Sequence, residues 1–179
     1  MKEVDIQKAK ERCARPERIC MAVTVDEEGT PNVIPLGWKM WTSGVPPMVA
    51  ISVAHARYSH HLLHGCGEFV LAWPGEDMSR GVLLCGTKSG RDLNKISATG
   101  WTPLPATQIR PPLIEECPVN LECKVASTLD TGDHTIFVGE IVAGHVSEDD
   151  RRMLISIGEE GGYDSLGGRG GYRFGAVRR

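Results

Sequence analysis

A chain of 179 residues, 41% hydrophobic and carrying a formal net charge of -3, reads as one domain able to bury its own core. The slight acid excess excludes a general nucleic-acid binder, because no basic surplus is available to displace counterions. No apolar run approaches the roughly 18 residues that span a bilayer, and the charged start shows no signal segment, so a cytoplasmic protein without membrane contact is expected.

Residues 1–17 read as a charged lead-in with one short helix. A β-rich run follows at 19–25, then a turn at 26–30 and an extended strand at 32–38. Trp38-Lys39-Met40 and Thr42-Ser43 close that strand in a polar turn. Pro46-Pro47 introduce an apolar strand at 48–53, and Ser59 is placed to cap a helix at 60–64 that stops at Gly65. Residues 68–73 form another strand. Helices are expected at 76–84 and 92–98, with a Pro-rich connection at 103–112. Val119, Leu121, Cys123 and Val125 alternate with Asn120, Glu122 and Lys124, which is strand period two with one face buried. A turn at Thr131-Gly132-Asp133 and a partner strand at 136–146 complete a hairpin. The glycine-rich tail at 158–179 is either an ordered loop against a partner subunit or a mobile end. Successive strands with tight turns and short helices make the chain mainly β, an antiparallel sheet or closed barrel with small helical insertions.

The six cysteines include no Cys-x-x-Cys pair and are expected to be free, with Cys20 and Cys123 as small core residues. Two stretches carry most of the chemistry. His55-Ala56-Arg57-Tyr58-Ser59 leaves an apolar strand for a helix. Cys85-Gly86-Thr87-Lys88-Ser89-Gly90-Arg91 likewise leads into a helix and runs on to Lys95. Each offers hydroxyls, glycine-freed backbone N–H groups and fixed positive charge, the donors a phosphate needs. Read alone, each is equally a solvated surface turn. If both grip one phosphate, the chain binds a nucleotide or a flavin, and Arg57 and Ser89 must share a cleft.

His60, His61, His64 and Cys66 form the one metal-like cluster, but no second ligand pair stands at comparable spacing; a polar helix face is the preferred reading and no metal is expected. His134 in the hairpin turn is either a turn residue or a neutral imidazole beside a nucleotide. Trp38 is either a core or interface aromatic, or a platform for a planar ring. No Gly-x-Gly-x-x-Gly follows a strand in the N-terminal half, which disfavours a dinucleotide-binding α/β fold.

With these residues in view, the chain resembles the flavin reductase-like family with the FMN-binding split barrel, its flavoredoxin branch most of all. The landmarks run in order: Pro31-Asn32 to Trp38, Pro46-Pro47, Arg57-Tyr58-Ser59, Gly67-Glu68-Phe69, Cys85-Gly86 with Ser89-Gly90-Arg91-Asp92, Pro111-Pro112, Cys117-Pro118-Val119-Asn120 and Gly132-Asp133-His134. The resemblance implies a six-stranded antiparallel Greek-key split barrel, core about 19–146, in one domain over 1–179. It implies a homodimer holding FMN, with FAD as the alternative. Trp38, Lys39, Met40, Ser52, Val53 and Ala54 would line the ring and ribityl chain. Arg57, Tyr58, Ser59, Cys85, Thr87, Lys88, Ser89 and Lys95 would surround the phosphate. His134 would act at the nicotinamide of NAD(P)H. Two departures stand out: Lys39 replaces a small or hydroxylated residue, and Asn94 replaces an Asp. The implied activity is an FMN-dependent oxidoreductase drawing electrons from NAD(P)H or a redox partner. The alternatives are an electron carrier without NAD(P)H activity and a flavin-free binding module.

Overall fold

The computed structural model describes residues 2–149, 151–157, 163–169 and 172–177. Helix α1 (Ile6–Cys13) is capped by Asp5, whose carboxylate accepts from Gln7 N at 2.9 Å. Strands β1 (Glu17–Arg18), β2 (Cys20–Val25), β3 (Pro31–Leu36), β4 (Lys39–Gly44) and β5 (Pro47–Ala54) follow, then α2 (Tyr58–Cys66) and β6 (Glu68–Trp73). A 3-10 turn (Glu76–Met78) leads into α3 (Ser79–Thr87), and α4 (Lys95–Thr99) precedes the short β7 (Pro103–Leu104) and β8 (Leu113–Ile114). The long hairpin β9 (Val119–Thr131) and β10 (His134–Val146) comes next, then β11 (Ile155–Ser156), β12 (Tyr163–Arg169) and β13 (Tyr172–Val177).

The main sheet is antiparallel with seven strands, not six, in the order β3-β2-β6-β9-β10-β5-β4. The extra strand is β4, expected as a polar turn; its backbone pairs with β5, with a bulge between Trp41 and Ser43. β3 and β4 are therefore the two outermost strands, yet only Gly37 and Trp38 lie between them. Seven strands laid flat would separate their margins by about 29 Å at 4.8 Å per step. Three residue steps reach about 10 Å. The sheet must curl until its margins nearly meet, a barrel with an unpaired seam. Its interior holds Ala22, Val49, Ile51, Phe69, Leu71, Cys123 and Phe137 from five strands. The alternate residues Met21, Val23, Val70 and Ala72 face outward and are covered by α3, α4 and Leu154. That is why β2 is buried on both faces.

Three expectations change. Glu122 and Asn120 face away from the barrel but are not solvated, because the 103–114 connection lies over them. The Glu122 carboxylate is 0% exposed and accepts from Thr107 N and Oγ1, Gln108 N and His145 Nε2 at 2.7–2.8 Å. Ser59 does not cap α2: Arg57 holds the cap position, and the helix continues past Gly65 to the left-handed Gly67 at φ 67°. α4 starts at Lys95, where Asn94 Oδ1 accepts from Ser97 N at 3.0 Å, so the departure from Asp supplies a neutral cap. The tail contributes β12 and β13, which join β11 and β1 in a second sheet, and Phe174 and Ala176 are buried. Residues 158–162 and 170–171, the most glycine-rich part, lie outside the described residues.

Candidate functional site

Both cationic loops open into one cleft of about 360 Å³. Arg57, Tyr58 and Ser59 enter from the start of α2. Cys85 to Arg91 enter from the end of α3. Ile34, Pro35, Leu36 and Gly37 of β3 and the seam form a wall, and Arg15 and Glu17 line another part. Five cationic side chains, Arg15, Arg57, Lys88, Arg91 and Lys95, face one carboxylate, Glu17, in a chain whose net charge is negative. The convergence expected of Arg57 and Ser89 is met.

The α2 N-terminus has no side-chain cap and no acid in its first turn. Its leading N–H groups therefore keep positive potential, the setting an anion seeks. The hydroxyls sort by where their protons go. Ser59 Oγ accepts from Asn32 Nδ2 at 2.8 Å and Ser89 Oγ accepts from Arg91 N at 3.2 Å, so both keep an O–H to donate. Thr87 Oγ1 donates to Leu83 O at 2.8 Å, so its proton is already committed. Arg91 stacks its guanidinium over Tyr58, 4.8 Å from the ring centre. Lys95 lines the same cleft but has a second task. It is 4% exposed and donates to Val33 O and Cys85 O at 2.7 Å each, so it also braces β3 against α3. Burial pulls its pKa down, as does the nearby Arg57 charge, against a pull upward from Cys85. Burial also pushes the Cys85 thiol up to about 12, which makes it a packing wall and no nucleophile. An uncapped helix start, two free hydroxyls and a surplus of cations fit a phosphorylated planar ligand.

The remaining expected residues do not line this cleft. Val53 points into the barrel, as strand alternation requires, and is fully packed. Ser52 and Ala54 pair with Ile136 and His134 along β10. Trp38, 52% exposed, packs its ring against His134 at 4.8 Å, and His134 Nδ1 bonds Asp133 Oδ1 at 2.6 Å. Lys39 and Met40 line a second cleft with Trp41 and Trp73. The Lys39 ammonium donates to Arg18 O at 2.7 Å and Gly37 O at 3.3 Å, so its charge sits behind the wall. The His60 and His64 rings pack edge-on, 4.7 Å apart, and both meet Phe137. Among the described residues no ligand group of three or more stands ready for a metal.

Residues 34–37, Arg15 and Glu17 were missed. One signal was present: Pro35 donates no hydrogen bond, which restricts its strand to a sheet margin, where a ligand can approach. Glu17 lies against Gly37, where an added Cβ would overlap its carboxylate. Burial raises its pKa, opposed by Lys39 and Arg15.

The family model described as flavin reductase like domain matches residues 15–166. An uncharacterised protein of Archaeoglobus fulgidus is 40% identical over 120 residues, covering 67% of this chain and 67% of the relative. A flavin reductase (NADH) of Kitasatospora aureofaciens is 28% identical over 134 residues, covering 73% and 66%. The chain thus spans about two thirds of the length of these curated relatives. The flavoredoxin of Desulfovibrio vulgaris (Miyazaki F) superposes with a TM-score of 0.78 at 24% identity, over 100% of this chain and 94% of that one, which shows a shared fold.

Proposed function

The chain belongs to the flavin reductase-like family, and on that premise we propose that it binds FMN in the 360 Å³ cleft and works as an oxidoreductase. One observation carries the reading: two separate donor-rich loops meet at an uncapped helix start. The terminal phosphate sits there, held by Arg57, Ser59, Ser89 and Lys88. FMN is preferred to FAD because that arrangement suits a terminal dianion. Ile34 to Gly37 supply the wall for the ring. When bound, FMN supplies reversible two-electron chemistry. The chain's part is to fix the ring, and to set the local field through Lys39 behind Gly37 and Glu17 in front of it. NAD(P)H is the electron donor, and His134, which bonds Asp133 and packs on Trp38 next to the Gly37 wall, is the residue proposed to meet it. The relatives named flavin reductase and flavoredoxin support this reading.

The homodimer is part of the proposal. Met40 and Trp41 on the outermost strand β4 are 62% and 66% exposed, an apolar margin suited to a second copy. The same margin favours a second reading, an electron carrier that meets a protein partner. Anaerobic mixing of the purified yellow protein with NADH or NADPH decides between them. Rapid bleaching of the visible flavin band supports the reductase; no bleaching supports the carrier. A colourless preparation that FMN cannot reconstitute overturns both. Light scattering at twice the monomer mass is expected.

A further inference from the structure

We propose that Asn32 is the positioning residue that makes the cleft selective for a phosphorylated ligand, by fixing the direction in which Ser59 points its proton. The inference rests on the FMN reading above and assigns the origin of its phosphate preference.

Asn32 lies on β3, 4% exposed, between the two loops. Its Nδ2 donates to Ser59 Oγ at 2.8 Å in a buried contact. A hydroxyl has one proton and two acceptor sites. Once Asn32 fills an acceptor site, the Ser59 proton is free to be given elsewhere, and Ser59 lines the cleft at the first turn of α2. The other end of the amide is informative. Asn32 Oδ1 is buried without a donor. It abuts Gly90, where an added Cβ would overlap it and would also crowd Tyr58. A buried acceptor left empty is costly, so stability of the fold alone does not account for the amide. Its NH2 does, as the group that turns Ser59 into a donor. One side chain thereby touches both loops: Ser59 by a hydrogen bond and Gly90 by close approach.

The test compares FMN with riboflavin, which carries the same ring and ribityl chain without phosphate. Affinities of the apoprotein for both are measured for the wild type, Asn32→Leu, Asn32→Asp, Ser59→Ala and Asn32→Leu/Ser59→Ala. A wild type with no preference for FMN overturns the flavin-phosphate reading itself. Given that preference, Ser59→Ala and Asn32→Leu are each expected to lower it about tenfold with riboflavin affinity unchanged, and the double variant no further. Asn32→Asp keeps the side-chain shape but accepts the Ser59 proton and sets a negative charge behind the dianion, so a loss of about a hundredfold is expected. The proposal is overturned if Asn32→Asp retains the FMN preference, or if the Asn32→Leu and Ser59→Ala losses add. It is equally overturned if Asn32→Leu weakens both ligands by one common factor. Riboflavin binding certifies that each variant is folded; should Asn32→Leu not fold, Asn32→Asp decides alone.

Discussion

Replacing Lys95 by Met separates a strut from a ligand. The ammonium makes two buried bonds at 2.7 Å, to Val33 O on β3 and Cys85 O near the end of α3. Hydrogen bonds to a charged group are worth about 1.5–3 kcal/mol each, and two stranded carbonyls cost about 1–3 each. Removing the ammonium returns part of this, because a buried charge is expensive to dehydrate. A net loss of about 2–4 kcal/mol follows. At about 2–4 °C per kcal/mol for a domain of this size, Tm falls by roughly 5–15 °C. The lost contacts join the two walls of the cleft, which FMN and riboflavin use alike. FMN and riboflavin affinities are therefore expected to fall together. Calorimetric melting with parallel titration of both ligands measures this. An unchanged Tm, with a loss confined to FMN, would refute the strut and return Lys95 to the phosphate.

The other predictions concern separate parts of the molecule. Glu122→Gln places an NH2 among donors and is expected to cost about 2–4 kcal/mol, read by urea unfolding. Burial raises the Glu122 pKa, but the bonds from Thr107 N, His145, Gln108 N and Thr107 Oγ1 outweigh it and hold the group at about 2. A depressed carboxyl stabilises above its ordinary value and loses that contribution as pH falls from about 4.5 towards 2, so the wild type has an acid limb there that the Gln variant lacks. Gly90→Ala drives a methyl into Asn32 and Tyr58, and at least a tenfold loss of FMN affinity by fluorescence quenching is the expected result. Lys39→Met is expected to lower the bound flavin's midpoint potential by about 20–40 mV, and Glu17→Gln to raise it by a similar amount, for roughly 1–2 kcal/mol of field each. Redox titration that finds no opposite shifts would remove both side chains from the ring's surroundings.

Much of the barrel was legible because period-two patterning and turn chemistry act locally. The β9–β10 hairpin and β6 lie where alternation and glycine put them. Strand β4 was not legible, since Lys39-Met40-Trp41 has no alternation and its strand character comes from pairing with β5. The meeting of the two loops in one cleft was legible because hydroxyl, glycine and cation stood together in two short stretches. For Lys95 the sequence shows a charge near a loop, but not that its ammonium donates to the buried carbonyls of Val33 and Cys85. The wall at 34–37 was hidden because its contribution is backbone and shape, which apolar residues give without any chemical signature. Glu122 shows the limit of alternation, which predicts the side of a strand and not whether a distant segment covers it.

The Gly37–Trp38 crossing has a mechanical consequence. A sheet whose margins are joined by two residues is a hoop held by a single stitch. Lengthening the stitch lets the margins part, and Ile34 to Leu36 travel with the margin they belong to. Hoop circumference and slot width are thus one variable. An engineer wanting room for a bulkier ligand would insert residues at that crossing and leave the helices alone.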